Sequence, residues 1–200
     1  MKGDVPPLAL VKNVATSRPL PARELDDVTL ARAQRGDEAA FRALIETYEA
    51  RVFAVAGRTL GAAHAARVED VCQECFLRVF SSLKRFDPRG PAKLSTWILT
   101  IATRLCFDEL RRHKRTLDEL PDDLPAAPIT EELALERALQ RRVERALATL
   151  PPDLRATFAL RVTGELSVVE TAHALGVDEG TVKSRLSRAR EKLRALIGEV

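Results

Sequence analysis

The stretch Ser167-Val-Val-Glu-Thr-Ala-His-Ala-Leu-Gly176-Val-Asp178-Glu-Gly-Thr-Val-Lys-Ser-Arg-Leu-Ser-Arg-Ala-Arg-Glu-Lys-Leu-Arg194 decides how the end of this chain folds. Ser167 and Glu170 stand at capping-box spacing, where the serine oxygen and the glutamate carboxylate each accept from a free backbone amide, so a helix starts there. Ala172, Leu175 and one of Val168 and Val169 supply its buried side. Gly176 sits where the chain must turn through a left-handed conformation, Val177 is placed to plug the angle between two helices, and Asp178 can cap the second. Helix, glycine-containing turn and helix at this spacing form a DNA-binding helix-turn-helix, whose second helix enters the major groove.

That second helix has two faces. Val182, Leu186, Ala189 and Leu193 recur at three- and four-residue steps and turn inward. Thr181, Lys183, Ser184, Arg185, Ser187, Arg188, Arg190 and Lys192 stay outside, with Glu191 as the sole acid between Thr181 and Arg194. Hydroxyls beside arginines on the leading turns suit base edges, while Arg190, Lys192 and Arg194 further along suit phosphates. A merely solvated basic face would not need the turn geometry that accompanies it here.

Upstream, the pattern stays helical. A helix from Val28 stops at Gly36, and Asp37 caps a second that carries Phe41, Leu44, Ile45, Tyr48, Val52, Val55 and Ala56 on one stripe and ends near Gly61. A third presents Val68, Val71, Cys72, Cys75, Phe76, Val79, Phe80 and Leu83 on one face and Glu69, Asp70, Gln73, Glu74 and Arg78 on the other. Residues 86–93, with two prolines and a glycine, form a loop. A fourth helix runs from about Thr96 to Arg115, capped by Ser95, with Trp97, Ile98, Ile101, Ala102, Leu105, Cys106 and Leu110 inward. On and after it lies a second basic cluster, Arg104, Arg111, Arg112, Lys114 and Arg115. Positive charge at a helix C-terminus accounts for that cluster as well as a nucleic-acid contact does.

Residues 116–136 then hold Asp118, Glu119, Asp122, Asp123, Glu131, Glu132 and Glu136, three prolines and no basic side chain, which marks a linker and a domain boundary. Helices resume at about 133–150, 153–162, 167–175 and 179–197. The expectation is therefore an all-α fold of two small helical domains joined by a flexible acidic linker. A flexible arm covers 1–27, the first domain 28–115, the linker 116–132 and the second domain 133–200.

Composition agrees. Aromatic residues make up 4% of the chain, Ala, Leu and Arg dominate, and the apolar share of 46% suffices for globular cores. The net charge of +3 is small, so a nucleic-acid partner is argued from where the charge lies. No apolar run reaches the length of a membrane span or a signal-peptide core, which points to a cytoplasmic protein without membrane contact of its own. Cys72, Cys75 and Cys106 read as reduced thiols. Cys72 and Cys75 make a Cys-x-x-Cys, but both fall on an apolar stripe and supply only half of a tetrahedral zinc site, so packing is expected, with no metal and no cofactor. Packing roles are also expected for His173 and Trp97.

The run from Gly176 to Leu193, together with Gly36-Asp-Glu-Ala-Ala-Phe41, Glu69-Asp-Val-Cys-Gln-Glu-Cys-Phe76, Thr96-Trp-Ile-Leu-Thr-Ile-Ala102 and Asp108-Glu-Leu-Arg-Arg112, closely resembles the extracytoplasmic-function sigma factors of bacteria. The resemblance covers about residues 28–197. It implies a protein that is not itself an enzyme, has no catalytic residues, and brings core RNA polymerase to promoter DNA. It further implies that Asp70, Gln73 and Glu74 dock on the polymerase. The loop 86–93 with Lys93, the start of the fourth helix, Arg104, Arg111 and Arg112 would engage the minus-ten element as a flipped base on a single strand. Lys183, Ser184 and Arg188 would contact the minus-thirty-five element, and an anti-sigma factor is the expected regulator. Arg104 stands where many relatives carry asparagine, which separates the minus-ten preference of this chain from theirs. Two other classes remain to be tested, a stand-alone helix-turn-helix regulator that binds duplex DNA unaided and a redox or metal-sensing module built on the cysteines.

Overall fold

The computed structural model describes residues 24–113, 143 and 145–197, and all regular elements among them are helical. The first half contains α1 (Asp27–Gln34), α2 (Glu38–Leu60), α3 (Val68–Ser82) and α4 (Leu94–His113), with α2 packed against the other three. The second half contains α5 (Pro152–Phe158), α6 (Val168–Leu175) and α7 (Glu179–Ile197), preceded by a helical turn at 145–148. The expected linker 116–132, Lys114, Arg115 and the beginning of the helix expected over 133–150 lie outside the described residues, as do residues 1–23.

The helix starts follow from side-chain chemistry. Asp26 accepts from the Thr29 amide at 2.9 Å and Asp37 from the Ala40 amide at 2.9 Å, each satisfying an amide that has no partner within its helix. The stripe read on α2 is the core of the first half, with Leu44, Val52, Val55 and Ala56 fully buried. Tyr48 is buried too, and its hydroxyl donates to Glu24 at 2.7 Å and accepts from the Leu25 amide at 3.0 Å. Glu24 and Leu25, at the inner end of the arm expected over 1–27, are thus tied to the folded body. Burial pushes the Tyr48 phenol up from its ordinary range.

Two helix boundaries differ from the sequence reading. The fourth helix begins at Leu94, and Ser95, expected as its cap, lies inside the first turn, where its hydroxyl donates to the Glu24 carboxylate. The helix expected over 153–162 changes pitch after Phe158, and the π turn Ala159–Thr163 is closed by the Gly164 amide on Ala159 O at 2.8 Å. The wider turn buries Ala159 and Leu160 completely and leaves Val162 outside.

That turn is where the halves meet. Ala159, Leu160, Leu166 and Ala174 share one buried cluster with Leu60, Ile98 and Leu99 of the first half. Arg155 on α5, 7% exposed, donates from Nε to Thr59 O at 2.7 Å across the junction and from Nη1 to Ala148 O at 3.2 Å. Gly61 (φ +76) ends α2 beneath that guanidinium, and a Cβ there would come within 2.9 Å of Arg155 Nη1. Arg58 also hydrogen-bonds Thr163, and Lys93 pairs with Glu170 at 3.1 Å.

All three cysteines are buried in the first half. Burial pushes the Cys72 thiol up to about 12 and raises Cys75 and Cys106 further. Such thiols pack as small hydrophobes and are poor nucleophiles or ligands at neutral pH. A folded pKa above the unfolded value means that the unfolded chain loses its protons first, so this contribution to stability is complete below about pH 8.5 and is lost as the pH rises toward 12. Thermal melting followed by circular dichroism is expected to show the midpoint falling across that alkaline window. Replacing Cys72 by Ala should flatten the fall, and an unchanged slope would assign it to other groups.

Candidate nucleic-acid interface

The helix-turn-helix forms as its chemistry requires. Both bonds of the capping box are present, Ser167 N to Glu170 Oε2 at 2.7 Å and Glu170 N to Ser167 Oγ at 3.1 Å. Gly176 adopts φ +65, and its amide closes the end of α6 on His173 O at 3.3 Å. Asp178 caps α7 through the Thr181 amide and hydroxyl, both at 2.7 Å, and these bonds hold its carboxyl below the ordinary range. Ala172, Val182 and Leu186 form a small core beneath Val168 and Val177. Of the two valines open to choice, Val168 therefore packs inward, and Val169 is exposed. His173, expected to pack, is exposed on α6.

On α7 the buried set is the expected one, Val182, Leu186, Ala189 and Leu193. Lys183, Ser184, Ser187, Arg188, Arg190 and Lys192 are exposed. Arg185 differs, since it is half-buried and turns its guanidinium onto Asp153 of α5 at 3.4 Å, bracing the helix against the rest of its half. Thr181 is likewise engaged by its cap. Six of the eight positions read from the sequence are therefore exposed, and Thr181 and Arg185 are half-buried.

In the first half, the loop 86–93 is an ordered turn. The Gly90 amide donates to Asp87 O at 3.0 Å, the Arg89 amide to Asp87 Oδ1 at 2.9 Å, and Pro88 presets the backbone between them. Phe86 lies against Trp97 with ring centroids 5.1 Å apart, which gives Trp97 the packing role expected of it. Trp97, Arg104 and Arg111 recur at seven-residue steps and share one face of α4. Arg104 lines a groove of about 490 Å³ with Arg78, Phe107, Asp108, Leu110, Arg111 and Pro152. Arg111 pairs with Asp108, and Arg112 with Glu109 at 3.6 Å.

Lys93 points to the other half. Burial works to raise the Glu170 carboxyl, but the Ser167 amide and hydroxyl and the Lys93 ammonium outweigh it and hold Glu170 below the usual carboxylate range. The sequence reading passed over Arg89, exposed at the tip of the turn; the Asp-Pro-x-Gly signature could have shown that position.

On the outer face of α3, Asp70 and Gln73 are exposed and Glu74 is half-exposed, bonded to Arg78 at 2.8 Å, while Arg67 reaches Asp70 at 3.3 Å. Leu77, 46% exposed, continues that face four residues after Gln73. The periodicity contained that signal, because a large apolar residue in register with a polar face is not part of the core stripe.

A helix-turn-helix with a basic outer face, docked on a second helical body, is the architecture of a DNA-binding protein. The family models "Sigma-70 region 2" and "Sigma-70, region 4" match residues 44–116 and 140–193. The sigma-E factor of Escherichia coli K12, an ECF RNA polymerase sigma factor, is 31% identical over 180 residues, which cover 84% of this chain and 92% of that one. SigW of Bacillus subtilis is 29% identical over 82% of this chain and 92% of its own length. SigE of Mycolicibacterium smegmatis is 36% identical over 80% of this chain and 63% of its own. Among solved structures, CnrH in complex with the cytosolic domain of CnrY superimposes with a TM-score of 0.63 at 27% identity, covering 85% of this chain and 95% of that one.

The chain belongs to the sigma-70 family, in its extracytoplasmic-function group. It is an initiation factor that directs RNA polymerase to promoters, and RNA synthesis is the work of the polymerase. No helix among the described residues is long and apolar enough to cross a membrane.

Proposed function

We propose that the two halves divide the promoter between them. Lys183, Ser184 and Arg188 on α7 read the minus-thirty-five element in the major groove, with Ser187 beside them and Arg190 and Lys192 on flanking phosphates. The turn 86–93, with Arg89 and Lys93, and the face of α4 bearing Arg104 and Arg111 engage the minus-ten strand, with Arg112 beside them. Arg185 and Thr181 serve α7 by bracing and capping it. Asp70, Gln73 and Glu74, extended by Leu77, dock on core polymerase. The domains are 28–115, begun a few residues earlier by Glu24, and 133–200, with 116–132 as linker. The protein works in the cytoplasm, where its polymerase is. Because CnrH and a second structural neighbour, RpoE of Bartonella quintana, are described in complex with CnrY and the anti-sigma factor NepR respectively, a comparable protein regulator is proposed here as well.

The observation that carries this reading is the division of α7 into a buried apolar stripe and an exposed face of Lys183, Ser184, Ser187 and Arg188. Transcription with start-site sequencing on a promoter library tests it: specific starts are expected only when core polymerase and this chain are both present. Tight protection of a specific duplex site by the chain alone would instead make it a stand-alone regulator. Within that assay, Arg188→Ala should reduce preference at one minus-thirty-five position by about 1–3 kcal/mol, whereas Arg190→Ala should weaken all sequences alike. Equal effects would show that the faces of α7 are assigned wrongly.

A further inference from the structure

Resting on the reading of the loop 86–93 given above, we propose that Gln34, seconded by Glu24, is a positioning residue for that loop: from a segment that touches no DNA, it sets the angle at which the loop meets the minus-ten strand. The residues that read the strand would then depend on two side chains more than fifty residues away in sequence.

Gln34 is the last residue of α1, and its amide nitrogen donates to two carbonyls, Leu83 O at 3.0 Å and Phe86 O at 2.7 Å. Leu83 opens the 3-10 turn Leu83–Arg85 where the chain leaves α3, and Phe86 follows it. The Leu83 carbonyl already closes the turn by accepting from the Phe86 amide at 3.0 Å, and an amide group with two N–H donors meets its second lone pair and the Phe86 carbonyl at once. Phe86 is the residue at which the backbone becomes extended, with ψ 124, so the bond to its carbonyl sets the direction in which the loop departs. At the exit of the loop, the Glu24 carboxylate accepts from Ser95 in the first turn of α4 and from Tyr48 at 2.7 Å. One segment, residues 24–34, therefore holds both ends of the loop.

Between those ends, the hydrogen bonds at Asp87, to Arg89 and to Gly90, are local and shape the turn without orienting it on the body, and at the exit the Lys93 carbonyl accepts from the Trp97 amide at 3.0 Å. The ion pair of Lys93 with Glu170 is exposed on the lysine side, and such pairs hold geometry weakly. A base-reading constellation has to be held to within about 0.5 Å, so freeing one anchor degrades selectivity before it degrades folding.

Holoenzyme is reconstituted from core polymerase and the full chain bearing Gln34→Met, which keeps length and shape but donates nothing, or Gln34→Lys, whose ammonium can donate to both carbonyls. The probe is a double-stranded promoter library randomised at both elements, read by transcript sequencing. With Gln34→Met, preference at the minus-ten positions is expected to fall about tenfold, the factor for two neutral hydrogen bonds. Preference at the minus-thirty-five element and affinity for core polymerase should stay unchanged, and Gln34→Lys should restore most of the loss. Glu24→Ala should act in the same direction.

Equal losses at both elements, or a lowered melting midpoint with unchanged minus-ten preference, would overturn the proposal by making Gln34 a general stabiliser. Arg89→Ala and Lys93→Ala are the control for the underlying reading. If they leave minus-ten preference intact, the loop does not read DNA and both conclusions fall. If they alter it while Gln34→Met does not, only the positioning role fails.

Discussion

With dyes at the exposed positions Glu38 and Glu191, the free chain is expected to show strong energy transfer, and the chain bound with core polymerase to a promoter very little. The docked halves share a core, yet the minus-ten and minus-thirty-five elements that we propose they read lie about 25 base pairs apart, or about 85 Å at 3.4 Å per pair. The linker 116–132, fully extended, reaches about 60 Å, and the radius of each half, about 13 Å, adds to that, so the connection is long enough for the halves to part. Docking also ties Lys93 to Glu170 of the helix-turn-helix, a pair that must break before Lys93 can meet DNA as proposed.

Arg155→Leu should shift this equilibrium in the free chain. The substitution leaves the buried Thr59 O without its guanidinium partner, and a buried carbonyl so deprived costs about 1–3 kcal/mol. Opening the junction rehydrates Thr59 O, so the loss falls on the docked state, by a factor of about 5–30 for 1–2 kcal/mol. Lower transfer in the free variant is the expected result. Transfer as strong as in the parent chain would show that the apolar cluster around Leu160 holds the halves together without Arg155.

Phe76→Ala is expected to cost about 3–5 kcal/mol of stability, a large part of the 5–15 kcal/mol typical of a native protein. Phe76 is 2% exposed in the cluster that joins α2, α3 and α4, where close packing turns the loss of a large side chain into a cavity. Phe80→Ala should cost only about 1 kcal/mol. Its ring is 44% exposed and meets Phe41 edge-on at a centroid distance of 4.8 Å. Urea unfolding of the two variants compares them directly. Equal losses would mean that Phe80 is buried in solution against a surface absent from the described residues.

The contrast between Phe76 and Phe80 shows how far the sequence can be read. Both lie on the stripe that periodicity drew on the third helix, and 3.6-residue spacing assigns a direction without saying how wide the facing surface is. The same limit explains Arg185, which shares the outward side of α7 by spacing but finds Asp153 on a neighbouring helix. It explains Ser95 as well, a plausible cap whose hydroxyl is taken by Glu24 from 71 residues away. The helix-turn-helix was legible almost in full, because its capping box, its left-handed glycine and its apolar steps are interactions between residues a few positions apart.

What the sequence by itself determined, then, is everything set by local chemistry: the all-α class, the helix starts at Asp37, Ser167 and Asp178, the turn at Gly176, the basic face of α7 and the family motifs. What only the tertiary structure decided is whatever needs partners distant in sequence: the docking of the halves through Arg155 and Leu160, the π turn at their junction, the hydrogen bonds of Glu24 and Leu25 to Tyr48, and the two hydrogen bonds from Gln34 to Leu83 and Phe86. The physical reason is that a hydrogen bond or packed contact across fifty residues leaves no period in the sequence. It exists only once the chain has closed on itself.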